Sequence, residues 1–323
     1  MTKEDLRIVF MGTPEFAVAT LRALLDARYN VVGVVTQPDK AVGRHASVLQ
    51  PPAVKRFALE HGLPVLQPEK MKDPLFLEQL SRWQANLQVV VAFRMLPQAV
   101  WDMPRYGTFN VHAALLPDYR GAAPINWAVI NGETQTGVTT FFLDNQIDTG
   151  RIIRKKSFTI PDDADAAYVY DGLMQLGAEL CLETLNDIAE ADGFPPSAPQ
   201  DGSMAVHAAP KLCKENCRIA WQQGCRQVYN FVRGLSPIPG AWTMLAAPDG
   251  TETLLKIYKA TRLPAQPAKH LDTGMLVRDK RHLYAMCGDG LLQLDSLQLA
   301  GKKRMDAASF MNGMNNIENY FLK

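Results

Sequence analysis

The sequence predicts an α/β domain on a parallel sheet, followed by a smaller β-barrel, and three observations carry that expectation. Apolar runs of strand length alternate with helical periodicities as far as residue 190, the pattern of βαβ units whose helices cover a sheet. A stretch rich in proline and glycine interrupts the pattern at 193–210. Beyond it, short strand-like runs recur between turn residues around one helix, as a small barrel or sandwich requires. The length of 323 residues suits two such domains.

Leu6-Arg7-Ile8-Val9-Phe10-Met11 is nearly continuous in apolar residues, as in a strand buried on both faces. Gly12-Thr13-Pro14 ends it, and Ala17, Leu21, Leu24 and Leu25 then share one helix face. Residues 31–36 read as the next strand, and 53–61 and 74–83 as helices. Residues 87–93, with three successive valines, read as a central strand. Two short strands at 109–112 and 138–143 precede a long helix over about 164–190. The segment 193–210, with four prolines and two glycines, reads as an exposed linker. After it come a helix over 225–235, stopped by Pro237 and Pro239, and strands at 241–245, 254–260, 275–278, 283–287 and 291–297. Five strands and one helix suit an oligonucleotide-binding (OB-like) barrel. The expected domains are therefore 1–192 and 211–323, joined by the linker 193–210.

Composition excludes several classes. With 47% hydrophobic and 21% charged residues the chain is neither disordered nor fibrous. No apolar run approaches the roughly 20 residues of a membrane span. Two acids precede the first apolar run, so no signal or transit peptide is expected. Five scattered cysteines without a Cys-x-x-Cys pair suit reduced thiols, and a cytoplasmic location, no membrane partner and no metal are expected. The net charge of +1 hides an asymmetry. Residues 211–323 hold 16 basic and 9 acidic side chains, whereas the first 210 residues hold 18 and 24. A basic second domain points to a polyanion such as nucleic acid.

A sheet that opens on a strand invites the expectation of a dinucleotide, and the first turn argues against it. Gly12-Thr13-Pro14-Glu15-Phe16-Ala17 has one glycine where the pyrophosphate turn needs three. Pro14 lacks an N–H, and Glu15 puts negative charge where a phosphate would sit.

The segment 110–150 holds a different chemistry. Asn110 and His112 are two apart on an expected strand, so their side chains share one face. An amide that stabilises an oxyanion beside a histidine that moves a proton suits acyl-group chemistry. Asp148-Thr149-Gly150 closes the next strand–loop unit, from which Asp148 can reach back to the same strand ends.

At these residues the sequence resembles the methionyl-tRNA formyltransferase family. The resemblance lies in Met11-Gly12-Thr13-Pro14-Glu15-Phe16, Asn110-Val111-His112, Leu115-Leu116-Pro117 with Tyr119-Arg120-Gly121-Ala122-Ala123-Pro124-Ile125, and Asp148-Thr149-Gly150. It continues in Lys211-Leu212, in Val232-Arg233-Gly234-Leu235-Ser236-Pro237-Ile238-Pro239-Gly240-Ala241 and in Ala300-Gly301-Lys302-Lys303. The Asn-x-His and Asp-x-Gly elements are shared with other folate-dependent formyltransferases; the Met-Gly-Thr-Pro opening and the C-terminal segments are more specific.

The resemblance implies a Rossmann-like N-terminal formyltransferase domain and a C-terminal tRNA-binding barrel. It implies transfer of the formyl group of 10-formyltetrahydrofolate to the α-amine of methionyl initiator tRNA, a step of translation initiation in protein biosynthesis. Asn110, His112 and Asp148 match the catalytic trio, and Ala114, Leu115, Leu116 and Pro117 the tetrahydrofolate-binding segment. Phe93, Arg94, Met95 and Leu96 lie where the pterin side of the pocket is expected. The family usually has serine at position 114, so Ala114 is expected to bind through its backbone only. The loop 37–52 is the family's reach towards the tRNA acceptor end, and Arg44 is the residue expected to make that contact. Lys211, Lys214, Arg218, Arg226, Arg233, Lys302, Lys303 and Arg304 are candidate phosphate contacts in the second domain. A monomer is expected.

Overall fold

Four successive residues, Ile8 to Met11, have no exposed surface at all, and their strand, Arg7–Gly12, lies inside a seven-stranded sheet. The computed structural model describes residues 1–42, 48–204, 207–264, 271–314 and 316–323. The strands run in the order Ile152–Thr159, Gln135–Phe142, Thr108–His112, Leu87–Val91, Arg7–Gly12, Asn30–Val35 and Val65–Leu66. From Thr108–His112 to Val65–Leu66 all neighbours are parallel. The chain builds outward first on one side of Arg7–Gly12 and then on the other, so the order reverses between Arg7–Gly12 and Leu87–Val91. Open α/β sheets bind ligands near such a reversal, outside the carboxyl ends of the strands.

The sheet differs from the expected one at its far edge. Gln135–Phe142 and Ile152–Thr159 are antiparallel to their neighbours, and the second of these is missing from the sequence reading. Its Arg154, Lys155 and Lys156 interrupt the apolar alternation, because an edge strand faces water and carries charge.

Helices Glu15–Asp26, Ala53–Glu60, Pro74–Arg82 and Ala166–Glu190 accompany the sheet. Pro74–Arg82 begins at Asp73, whose side chain accepts from the Leu75 N–H at 2.9 Å, satisfying one of the free donors of the first turn. Phe76 and Leu80 on this helix join Val9, Met11, Val35 and Val90 of the sheet in one apolar cluster. These strands, the first three helices and most of the long one belong to a compact unit made of Met1–Gly121, Gln135–Thr159 and Tyr170–Ala208.

A second unit comprises Ala122–Thr134, Ile160–Val169 and Ala209–Lys323. Its sheet is antiparallel throughout, in the order Leu276–Arg278, Leu283–Met286, Leu291–Leu299, Glu252–Arg262, Ala241–Ala246, Phe321–Leu322. A bridge between Met275 and Phe321 links the two ends, so the sheet nearly closes into a barrel. The five expected strands are all present. Two further strands, Phe321–Leu322 and, beside Leu291–Leu299, Met305–Asp306, have two residues each, too short for any periodicity to reveal them.

Inside the barrel unit, Trp221 is fully buried and donates its indole N–H to Thr243 Oγ1 at 3.0 Å. Helix Cys225–Gly234 lies against helix Pro124–Ile130. An added Cβ on Gly234 would strike Ile130, and Asn126 Nδ2 donates to the Gly234 carbonyl at 2.7 Å. Among the described residues no helix is long and apolar enough to cross a membrane.

Candidate active site

Asn110 and His112 lie on Thr108–His112, with Leu87–Val91 parallel on one side and Gln135–Phe142 antiparallel on the other. Pleating turns Phe109 and Val111 into the core and leaves Asn110 and His112 together on the other face. His112 ends the strand and is only 6% exposed. Its Nε2 is 2.9 Å from the Tyr119 carbonyl. A carbonyl only accepts, so Nε2 carries a proton in either charge state. The nitrogen that can exchange a proton is therefore Nδ1, and Asp148 Oδ2 lies 3.8 Å from it. That separation exceeds a hydrogen bond, so a proton on Nδ1 is not committed to the carboxylate. The ring stands edge-on to Phe141, with centroids 6.4 Å apart. The Oδ1 of Asn110 is enclosed and has no hydrogen-bond partner, although the residue as a whole is partly exposed. A buried polar atom without a partner is uncommon in native proteins and marks a place where a ligand can complete the set.

Asp148 is carried by a tight loop. Its φ is 55°, a left-handed conformation that a non-glycine residue keeps only where its surroundings hold it. The Gly121 N–H donates to Asp148 Oδ2 at 2.9 Å. At Gly150 an added Cβ would run into the Phe142 carbonyl, so only glycine lets the chain pass. Thr149 Oγ1 donates to Asp144 Oδ1 at 2.7 Å within the loop.

The segment after His112 is anchored from below. Ala114 and Leu116 have no exposed surface, while Leu115 and Pro117 are partly exposed. The buried hydroxyl of Thr139 donates to the Ala114 carbonyl at 2.7 Å and accepts from the Leu116 N–H at 3.1 Å. Lys155 Nζ donates to the Leu116 carbonyl, and burial pushes the Lys155 ammonium below the ordinary lysine range. Leu115 lies over Gly137, where a side chain would collide with it.

Phe93, Arg94, Met95 and Leu96 follow the carboxyl end of Leu87–Val91. Leu96 is buried in the apolar cluster and Phe93 packs against it, whereas Met95 is 72% exposed. Arg94 donates to the backbone carbonyls of Glu69, at 2.9 Å, and Pro68. Burial lowers its pKa, and its Nε is enclosed without a partner. Arg44 lies outside the described residues. The start of its loop is tied at Asp39, which accepts from Lys55 at 2.8 Å and from Gln67 at 2.8 Å.

Of the basic side chains in the barrel unit, Arg233 does not face solvent. It is buried, donating to Asn230 Oδ1 at 2.9 Å and to the Ala164 carbonyl at 2.8 Å, so it braces the fold instead of reaching for phosphate. Lys214 and Arg218 are exposed and both lie over the Trp242 ring, 5.5 and 5.6 Å from its centroid. A cation pair beside an aromatic ring is a surface on which nucleic acid can stack.

Sequence reasoning missed Thr139 and Gln200. Thr139 sits in a strand core with two other buried threonines, and a hydroxyl in such a place needs partners, which is the signal that was available. Gln200 has none: it lies in the proline-rich segment and bonds to residues about fifty positions away. Among the described residues no group of three or more His, Cys, Asp or Glu side chains is placed to hold a metal ion.

Comparison with known proteins supplies the class first. Residues 6–185 match the family model described as formyl transferase, and residues 211–315 the model described as formyl transferase, C-terminal domain. Among curated relatives, methionyl-tRNA formyltransferase of Parabacteroides distasonis is 55% identical over 323 residues, covering 99% of both chains. That of Bacteroides fragilis is 51% identical over 328 residues, covering 100% of this chain and 99% of its own. The chain belongs to the methionyl-tRNA formyltransferase family of formyl transferases. Solved structures share the fold at lower identity. HypX from Aquifex aeolicus, in complex with tetrahydrofolic acid, has a TM-score of 0.61 at 19% identity, covering 94% of this chain and 46% of its own. An N-formyltransferase from Helicobacter canadensis has a TM-score of 0.62 at 18% identity, covering 93% and 100%.

Proposed function

We propose that this chain transfers the formyl group of 10-formyltetrahydrofolate to the α-amino group of methionyl initiator tRNA, giving N-formylmethionyl-tRNA and tetrahydrofolate. Asn110, His112 and Asp148 are the residues that carry the reaction. The observation behind the reading is the cluster they form: an amide with an enclosed, unpartnered Oδ1, and two residues on, an imidazole 3.8 Å from a carboxylate. Near-complete identity of extent with named methionyl-tRNA formyltransferases selects the amine.

The chemistry follows from the groups present. A free α-amine has a pKa of about 7.7–8.0, so a useful fraction is an unprotonated nucleophile near neutrality. Its nitrogen attacks the formyl carbon, and the C=O electron pair moves to oxygen. The Asn110 amide turns its N–H towards that oxyanion, since a terminal amide rotates about a broad, two-fold torsion. His112, protonated on both nitrogens, keeps Nε2 on the Tyr119 carbonyl and presents Nδ1–H to the site. As the C–N10 bond breaks, the departing folate nitrogen takes a proton from His112. The attacking amine releases its own proton, which returns through water to the imidazole. Asp148 stabilises the charged ring while standing too far away to hold its proton.

The remaining assignments follow the same reading. Leu115 and Pro117 line the folate side on the segment that Ala114, through its backbone, and the buried Leu116 hold in place, and Phe93, Arg94, Met95 and Leu96 border the pterin end. The transferase domain is built mainly from residues 1–192 and the tRNA-binding domain mainly from 211–323, with 193–210 as the segment that joins them. Arg44 meets the acceptor end. The enzyme acts as a monomer in the cytoplasm.

The test separates chemistry from binding. Asn110→Ala and His112→Ala each lower the single-turnover rate of formylation by about 10²–10³-fold, the usual loss for one oxyanion donor. Filter binding of methionyl initiator tRNA stays within about threefold of wild type in both. Equal losses of affinity and rate would give these residues a structural role instead.

A further inference from the structure

Gln200 belongs to none of the motifs above, yet its side chain makes four hydrogen bonds at the base of the Asp148 loop. Its Oε1 accepts from Arg120 Nε at 3.1 Å and from Arg120 Nη2 at 2.7 Å. Its Nε2 donates to the Asp148 carbonyl at 2.9 Å and to the Gly150 carbonyl at 2.9 Å. A guanidinium can only donate and a main-chain carbonyl can only accept, so the chemistry of the neighbours fixes which end of the amide is which.

Asp148 needs such support. Its positive φ of 55° is a conformation that a side chain bearing a Cβ resists. The Gly121 N–H fixes its carboxylate, and Gln200 fixes the main chain on the other side of the same residue. The two grips hold the side chain and the carbonyl of the same residue. The carboxylate then stands 3.8 Å from His112 Nδ1, a separation that a small change of backbone torsion would alter. The segment carrying Gln200 is itself held to the first unit, with Ala198 and Ile152 exchanging both backbone hydrogen bonds at 2.8 Å.

We propose that Gln200 is a positioning residue for formyl transfer: its amide donors clamp the Asp148 and Gly150 carbonyls and so set the Asp148 carboxylate against His112. The proposal rests on Asp148 being a working member of the site. Gln200 acts through Asp148, and its bond to Arg120 serves to orient the amide.

Single-turnover formylation at saturating 10-formyltetrahydrofolate and methionyl initiator tRNA is measured for Gln200→Glu, Gln200→Ala, Asp148→Ala and the Gln200→Ala/Asp148→Ala double variant. Glutamate at position 200 keeps the acceptor for Arg120 and removes both donors. Both Gln200 variants are expected to lose about 10- to 100-fold in rate, the scale of a misplaced catalytic group, with half-saturating substrate concentrations unchanged. The double variant is expected to be no slower than Asp148→Ala within about twofold, as for two residues acting in series. Thermal unfolding of Gln200→Glu near the wild-type midpoint separates positioning from loss of fold. A slow Asp148→Ala with a wild-type rate in Gln200→Glu overturns the proposal and leaves the site reading intact, as do losses that multiply in the double variant. A wild-type rate in Asp148→Ala overturns the site reading itself, and the proposal with it.

Discussion

At the scale of the residue, hydrogen-bond bookkeeping decides what His112 can do. With Nε2 committed to the Tyr119 carbonyl, only Nδ1 is left to exchange a proton, and the Asp148 carboxylate stands 3.8 Å from it, beyond hydrogen-bond reach. The pairing of Asn110 with His112 is legible in the sequence, because the strand period of two dictates it. The grip on Asp148 is not, because Gln200 lies 52 positions further along the chain and no local pattern links them. The cysteines give a prediction at this scale. Burial raises the Cys181 and Cys287 thiols well above their ordinary value of 9.0 and the Cys225 thiol to about 11. As pH rises past 9 the unfolded chain ionises these thiols while the folded one keeps their protons, so stability falls. Each fully buried thiol contributes up to about 1.4 kcal/mol per pH unit. Urea midpoints at pH 7.5 and 9.5 are expected to show the drop, and Cys181→Ala, whose thiol has no exposed surface, to reduce it.

At the scale of the element, the strand Gln135–Phe142 is what holds the segment 114–116 in place. Thr139 bridges the Ala114 carbonyl and the Leu116 N–H from a position with no exposed surface. Thr139→Val keeps the shape and strands both backbone groups, so it is expected to cost about 1–3 kcal/mol in urea unfolding. The KM for 10-formyltetrahydrofolate should rise with that for methionyl-tRNA unchanged. An unchanged folate KM would detach this segment from the folate. Long apolar strands and the long helix were legible because burial on both faces or a sustained helical period marks them. Ile152–Thr159 was not, since its exposed edge carries the charges that erase an apolar alternation. The segment 193–210 reads as a linker from its prolines, yet Ala198 pairs with Ile152 and Gln200 reaches the Asp148 loop. Proline content reports the lack of regular secondary structure, not the lack of contacts.

At the scale of the whole molecule, the division into units does not follow the single cut that a change in composition suggests. Ala122–Thr134 and Ile160–Val169, which lie in the first half of the sequence, belong with Ala209–Lys323. Their membership rests on long-range contacts, such as Asn126 with Gly234 and Arg233 with the Ala164 carbonyl, which no local periodicity encodes. The charge asymmetry was legible, but not its use, since Arg233 is spent inside the fold while Lys214 and Arg218 face outward beside Trp242. What joins site and surface into one activity is the choice of amine. The most direct measurement is single-turnover formylation by the full chain with 10-formyltetrahydrofolate and either methionyl initiator or methionyl elongator tRNA. The account predicts rapid formyl-methionine on the initiator and little on the elongator; no product on either, with initiator tRNA still bound, would contradict it.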